Sequence, residues 1–598
     1  MNTPTELRTP LLDGVYGPYD IRALQAERLP GLAQEIREFL VDADSRASGS
    51  SKGPGPNRAP GPGSDLGASS DLEASLGMVE LTIALHRVFN SPRDPLLFDR
   101  ADQSHVHEVL TGHRDATGRR ARTALSCADG IARSLRLCGG ADRHVVAVID
   151  GEALITGVTW EALNSIAATA DLPVVIVVND RGGPSLPERG GLAERFLDLG
   201  ENVLRRTPVV GRPLFGALHG VKRSLGEPAA PQGLFAHLGL TYTGPVDGHS
   251  VPELEAALRG ARDSGGPAIV HCVTRAWTRL PQATGADPGH EESWISVFGE
   301  EMVKAGADRP EAVGVTAGTP RPAGLGPFAE VCPERVHDAG GAEQHAVASA
   351  AGLAAGGLHP VVAVGASFLH RALGQVLTDV AGPMRGVTFV VDGAARTEGA
   401  GEGQGGTSDL ALPRLVPGLR IAVPRDGARL RAQLRRAIDI DDAPTAIHLP
   451  RGPVGPDIEA VGHDHGVDVL HRTADGPRDV LVVSVGAMAH ISLVAAGLLE
   501  ARGVGVTVVD PGWVEPLDPR VAELALAHRL VVTVEEGGRA GGVGAGLAET
   551  LNDASARVRV LRLASGTAEP GLSGPGLAQA VLTGPGLAQA VLSGLLQD

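Results

Sequence analysis

The sequence predicts an α/β protein of three consecutive parallel-sheet modules. Two observations lead there. Short unbroken Val/Ile runs recur along the chain, and amphipathic helical segments separate them. A third observation sets the scale: 598 residues is chain for three to five domains at roughly 100–200 residues each. A parallel sheet covered on both faces needs strands apolar on both sides, and the runs have that character. In chain order, residues 1–45 form an N-terminal segment with a polar helical pattern over 21–41. Residues 46–70, RASGSSKGPGPNRAPGPGSDLGASS, are Gly/Pro/Ser-rich and are expected to form a flexible loop. The first module, 71–300, opens with a helical pattern over 72–89. HVVAVID (144–150), TWEALNSIAATA (159–170) and LPVVIVVN (172–179) then give strand, helix and strand. The second, 301–465, repeats the pattern with AVGVTAG, AEQHAVASAAGLAAGGL, PVVAVGA and GVTFVVD. The third, 470–598, does so with RDVLVVSVGA, a helix through Glu500, VGVTVVDP and RLVVTVEE.

Composition excludes several classes. The chain carries 53 Lys+Arg against 70 Asp+Glu, a formal charge of −17, without basic clusters, which argues against nucleic-acid partners. The apolar runs are too short to cross a bilayer. No leader pattern opens the sequence, and four cysteines without CxxC spacing indicate neither a disulfide framework nor a zinc site. A reduced, cytoplasmic protein is expected. An identical nonamer, GPGLAQAVL, occurs at 574–582 and 584–592; two copies are too few for a solenoid and read as a duplication at a tolerant terminus.

Three runs carry more than fold class: SLGMVELTIALHRVFNSPRDPLLFD (75–99), DAGGAEQHAVASAAGLAAGGLHPVVAV (338–364), and VTVVDPGWVEPLD with VVTVEEGGRAGGVG (506–518, 531–544). With LTGHRD (110–115), EALN (161–164), YTGPVDGHS (242–250), VPRD (423–426) and LPRG (449–452), they resemble 1-deoxy-D-xylulose-5-phosphate synthases, collinearly from about residue 10 to 565. The resemblance implies three α/β domains of transketolase type: a diphosphate-binding domain, a pyrimidine-binding domain and a C-terminal domain. It also implies dependence on thiamine diphosphate and Mg, a condensation of pyruvate with glyceraldehyde 3-phosphate, and dimeric assembly. Carried over residue by residue, Glu343 in GGAEQHAV is the pyrimidine-contacting glutamate, and Phe368 and Arg371 in SFLHRALGQ lie near the pyrimidine or the cleft. His249 in GPVDGHS is a catalytic histidine near the cleft, and Arg451 in HLPRG is a substrate-phosphate arginine. Plainer roles stand beside these: a helix-start carboxylate paired locally for Glu343, and a surface ion pair for Arg451.

Other positions depart from the family pattern. The family's metal-ligating aspartate aligns with Gly151, flanked by Asp150 and Glu152, and its second ligand aligns with Arg181, a cation that would repel magnesium. A family histidine aligns with Asp71. A second, in Gly-His-Gln, aligns with Asp102 of Ala101-Asp102-Gln103. The cofactor loop shortens to Leu125-Ser126-Cys127-Ala128. In EGAGEGQGGTSD (398–409) the family's aspartate and two histidines fall on Ala400, Gln404 and Gly405. Loss of several such groups together predicts a catalytically impaired protein with no cofactor or metal bound. Such a chain would serve as a homodimer, or as a partner, regulatory or structural subunit of an intact synthase in isoprenoid-precursor or terpenoid metabolism. Two alternatives remain: an active thiamine-dependent synthase, and a cleft repurposed for another phosphorylated ligand, with Arg181 contacting the phosphate directly in place of a metal.

Overall fold

The computed structural model describes residues 9–49, 72–112, 123–138, 140, 142–181, 235, 238–275, 293–317, 323–393, 410–450, 452–474, 477–565 and 583–596. Most of the expected loop at 46–70, the positions Asp71, Ala400, Gln404, Gly405 and Arg451, and the first nonamer copy lie outside the described residues. The chain divides into two compact units, 1–287 and 288–598.

The first unit is built on five parallel strands: β1 (Leu96–Phe98), β2 (Val145–Asp150), β3 (Val174–Asp180), β4 (Thr241–Asp247) and β5 (Ala268–Val273). Their order is β1-β2-β3-β5-β4, every pair parallel. All six residues of β2 are buried, as a sheet covered on both faces demands. The N-terminal segment is part of this unit's core: Ile21, Leu32 and Ile36 pack with Val79, Leu81 and Leu85. Its helix, Leu29–Gly49, runs four residues into the stretch expected to be loop.

Buried in the same core, the helix Val79–Val88 carries His86, fully shielded from solvent. His86 Nε2 lies 3.0 Å from Nδ1 of His107, and the two rings stack. Burial, with the nearby charges of His107 and Arg22, pulls the His86 pKa down to about 3. Because the unfolded chain takes up this proton first, near pH 6.5, the stability is complete above that pH and drains as pH falls toward about 3. The expected loss between pH 7.5 and 5.5 is about 1.4 kcal/mol. Urea unfolding of the protein and of His86→Leu at both pH values measures it; equal slopes for the two would remove His86 as the source.

The second unit holds two sheets. One uses β6 (Ala312–Thr316), β7 (Val336–Asp338), β8 (His359–Gly365), β9 (Thr388–Asp392), β10 (Arg420–Ala422) and β11 (Thr445–Leu449). The later strands are β12 (Gly462–Asp464), β13 (Val467–Arg472), β14 (Val480–Ser484), β15 (Val506–Asp510), β16 (Trp513–Glu515), β17 (Leu530–Glu535) and β18 (Arg559–Ala564). The two orders are β16-β10-β11-β9-β8-β6-β7 and β12-β13-β15-β14-β17-β18.

The three sheets are mostly parallel, as expected, with three exceptions. β12–β13, β13–β15 and β10–β16 run antiparallel. The third sheet therefore begins at Gly462, inside the stretch assigned to the second module, and β16 crosses back to edge the second sheet. A hairpin needs only a short turn, so such strands can be added where no crossover helix fits. The second nonamer copy lies within the helix Gly584–Leu595, where Leu587, Ala588 and Val591 are buried.

Candidate functional site

In an open parallel sheet, ligands bind beyond the carboxyl ends of the strands. At that edge of the first unit four charged side chains, Asp150, Arg181, Asp102 and Arg100, form one cluster. Asp150 ends β2 and caps the 3-10 turn Gly151–Ile155, its Oδ1 accepting from Glu152 N at 3.1 Å. Gly151, the position expected to bear a metal ligand, has no side chain and is buried. Arg181 follows β3, and its guanidinium is committed on both arms. Nη2 donates to Asp150 Oδ2, and Nη1 donates to Asp102 Oδ2 at 3.3 Å. Arg100 Nε donates to Asp102 at 3.1 and 3.2 Å and lies 3.9 Å from Asp150. Asp102 and Asp150 are 4 % and 5 % exposed, so two buried carboxylates are neutralised by two arginines.

This cluster joins two departures that the sequence presented separately. Asp102 was expected in place of a histidine and Arg181 in place of a metal ligand, and here they form one ion pair. The residues present do not fit a divalent cation: the guanidinium already holds the carboxylate oxygens, and among the described residues no group of three or more His, Cys, Asp or Glu is placed to bind a metal. Behind the cluster, Asn179 is fully buried; its Oδ1 accepts from Thr274 Oγ1 at 2.7 Å and its Nδ2 lies 3.0 Å from Met78 Sδ. Leu125–Ala128, expected as a remnant of a cofactor loop, is instead the first turn of the helix Ala124–Leu137. Asp99 caps that helix through Ala124 N at 3.1 Å.

His249 has both ring nitrogens occupied. Nε2 accepts from the backbone N–H of Arg275 at 2.9 Å, which leaves the proton on Nδ1, 3.4 Å from Glu80 Oε2. Arg37 Nη2 donates to both oxygens of Glu80, at 2.8 and 2.6 Å. Burial pushes the Glu80 carboxyl up, and the bonds from His249 and Arg37 more than offset it, leaving its pKa below the usual value. This histidine is tied to the N-terminal helix through Glu80.

The second unit brings Glu343 and Arg371 together. Gly340 and Gly341, both at positive φ (59° and 83°), turn the chain into the helix Glu343–Ala355, whose first residue is 3 % exposed. Arg371 ends the short helix Ala366–Arg371 after β8 and donates through Nε and Nη2 to Glu343 Oε1, at 2.9 and 2.6 Å. Gln344 Nε2 donates to the Arg371 carbonyl at 3.2 Å. Phe368, 5 % exposed, packs in the apolar core with Ala346 and Val347. Glu343 thus has the local partner that its plainer role requires, and it also keeps a carboxylate at a helix start.

Comparison with known proteins covers all three modules. The family model described as 1-deoxy-D-xylulose-5-phosphate synthase matches residues 66–121 and 116–274. The models for the transketolase pyrimidine binding domain and the transketolase C-terminal domain match 290–456 and 471–585. The chain is 48% identical to 1-deoxy-D-xylulose-5-phosphate synthase 1 of Kitasatospora griseola, over 91% of this chain and 89% of that protein. It is 46% identical to 1-deoxy-D-xylulose-5-phosphate synthase 2 of Streptomyces avermitilis, over 92% and 90%. A solved structure described as a split gene transketolase, inactive beta4 tetramer, matches with a TM-score of 0.44 and 28% identity, over 51% of this chain and 99% of that one. With relatives this similar along nine-tenths of its length, the chain belongs to the 1-deoxy-D-xylulose-5-phosphate synthase family.

Proposed function

We propose that this chain is a synthase-family protein whose first unit no longer anchors thiamine diphosphate through a divalent cation, and that it serves as a non-catalytic subunit or regulator alongside an intact synthase. One observation supports the reading: Arg181, which the resemblance puts in place of a metal ligand, is held by Asp150 and Asp102. A guanidinium and a divalent cation repel each other at that range, and the two carboxylates cannot serve both. The scaffold, in contrast, is intact: all three sheets form, and the apolar strands are buried. Fold can outlast chemistry, because function resides in the site rather than in the architecture. No helix among the described residues is long and apolar enough to cross a membrane.

A second reading is favoured by a specific observation of its own. Identity of 45–48% to proteins named as synthases, over nine-tenths of the chain, supports an active synthase condensing pyruvate with glyceraldehyde 3-phosphate. Glu343, buried at a helix start, is the residue that would serve it. Calorimetric titration of the purified chain with thiamine diphosphate and Mg2+ separates the two. The first reading expects no saturable heat at micromolar ligand, no product at high enzyme concentration, and co-purification with an intact synthase. Micromolar binding, with product that disappears in Glu343→Ala, would overturn it in favour of the second.

A further inference from the structure

The helix Gly584–Leu595 is matched to its neighbours at each contact. Thr583 caps it, Oγ1 accepting from Gly586 N at 3.2 Å. Leu587, Ala588 and Val591 are fully buried, in one core with Ala495, Leu499, Leu530 and Val532. Both flanking glycines are required by space. A Cβ on Gly584 would stand 2.4 Å from Cγ1 of Val494, and one on Gly594 would stand 3.3 Å from Cδ2 of Leu530. Arg559 Nη1 donates to the Gly594 carbonyl at 2.7 Å. The segment thus fills a groove between the helix Met488–Glu500 and the starts of β17 and β18.

The chain meets these requirements a second time, ten residues upstream. Residues 573–584 read SGPGLAQAVLTG and residues 583–594 read TGPGLAQAVLSG. The nonamer and the closing glycine are identical, and the two differences exchange serine with threonine, both of which cap helices. Leu577, Ala578 and Val581 correspond to the three buried side chains, and Gly574 and Gly584 to the two close-packed glycines. The first divergence comes at Leu595, which is partly buried. Its counterpart is Pro585, which has no N–H to donate to the last helical turn. The connection is long enough. Residues 566–572 separate Ser565, after β18, from Ser573, and eight extended steps span about 26 Å. Gly594 sits at the starts of β17 and β18, and Gly584 faces Val494, midway along its helix. The cap position therefore lies within about a strand's length, ~20 Å, of the end of β18.

We propose that this groove is a docking site for either copy: residues 573–584 replace 583–594, and the end of the chain exists in two registers ten residues apart. The register with 583–594 seated is the major one, because it alone places Leu595 against the core and completes the last turn. Loop closure favours the other. Shortening the connection after Ser565 from 17 residues to seven shifts the balance toward it by about fourfold. The duplication thereby gives the third sheet a spare cover, held on the same chain at high effective concentration. The groove is separate from Glu343 and Arg181, and the proposal stands whether or not thiamine diphosphate binds.

Amide hydrogen exchange of the full chain, read on the helix Met488–Glu500, tests it. Leu577→Glu should exchange like the parent. Leu587→Glu expels the seated copy and the upstream copy takes its place, so exchange should rise by less than about tenfold, the scale of the lost Leu595 contact. The double variant leaves the groove bare and should raise exchange on the order of a hundredfold, the scale of one fully buried leucine. A second measurement reads the two registers directly. Ala588 is fully shielded when seated, so a thiol reagent reaches Ala588→Cys only when its copy is displaced. Adding Leu577→Glu removes the competitor and should slow that labelling several-fold. Three results would each overturn the proposal: Leu587→Glu as open as the double variant, Leu577→Glu opening the helix by itself, or labelling of Ala588→Cys unchanged by Leu577→Glu.

Discussion

Replacing Arg181 with methionine is expected to destabilise the first unit by about 2–3 kcal/mol. Removing one partner of a buried ion pair typically costs about 3–5 kcal/mol, because the other charge stays buried and uncompensated. Two features place this case lower. The Arg181 side chain is 27% exposed, and Arg100 remains 3.1 Å from Asp102 as a partial counter-ion. Asp150 loses most, since its remaining cation is the more distant 3.9 Å contact. The double variant Arg181→Met with Asp102→Asn should recover part of the loss, which a double-mutant cycle in urea would read as coupling. A related outcome concerns metal. Arg181→Asn releases Asp150 and removes one of the two arginines on Asp102, leaving Arg100, and this variant should gain thermal stability with Mn2+, on the order of 2.7 kcal/mol at a hundredfold excess over its Kd. The unsubstituted protein should gain none. A neutral Arg181→Met would show that the cluster contributes nothing, and a stabilisation of the unsubstituted protein by Mn2+ would show that the arginine does not block the site.

That cluster also shows where reading the sequence stops. The central strands were legible because burial on both faces leaves a direct trace: VVAVID and VVIVVND have no polar residue until their carboxyl ends. Glu343 and Arg371 were each singled out by the resemblance, but their bond to one another was not read from the sequence. The bond between Arg181 and Asp102, 79 residues apart, was not either, because charge complementarity across a sheet edge has no local signature. The available signal was that two replaced positions had acquired opposite charges. β12, β13 and β16 were missed for a different reason. GHDHGVDV has three polar residues in a row between glycines, and its strand identity comes from pairing, β12 with β13 and β13 with β15, rather than from its own pattern. Leu125–Ala128 misled because a shortened loop and a capped helix start have similar composition; Asp99, which caps it, lies far upstream.

A larger effect is expected in the second unit. Arg425, 3 % exposed, sits among three carboxylates. Its Nη1 donates to Asp468 and Asp510, and its Nε lies 3.1 Å from Asp426. Nη2 donates to the Ile458 carbonyl at 2.9 Å. Asp468 lies on β13 and Asp510 ends β15, so this guanidinium joins the chain after β10 to the third sheet. Burial already holds the Asp510 pKa above the usual carboxylate value despite its arginine, so removing the arginine leaves a charge with no compensation in the core. Arg425→Met should cost about 5 kcal/mol, the upper end for a broken buried pair, against a total stability of typically 5–15 kcal/mol. Arg425→Lys keeps the charge and loses the fork, and should fall between the two. The sign of the pH dependence follows from Asp510. In Arg425→Met its proton is bound more tightly in the folded state than in the unfolded chain. The variant should therefore recover stability, relative to the unsubstituted protein, as pH falls toward the ordinary carboxylate range near 4. Urea unfolding at pH 7 and pH 5 reads both effects. A variant as stable as the parent at pH 7 would mean that the three carboxylates find solvent or other partners, and that Arg425 does not hold the seam.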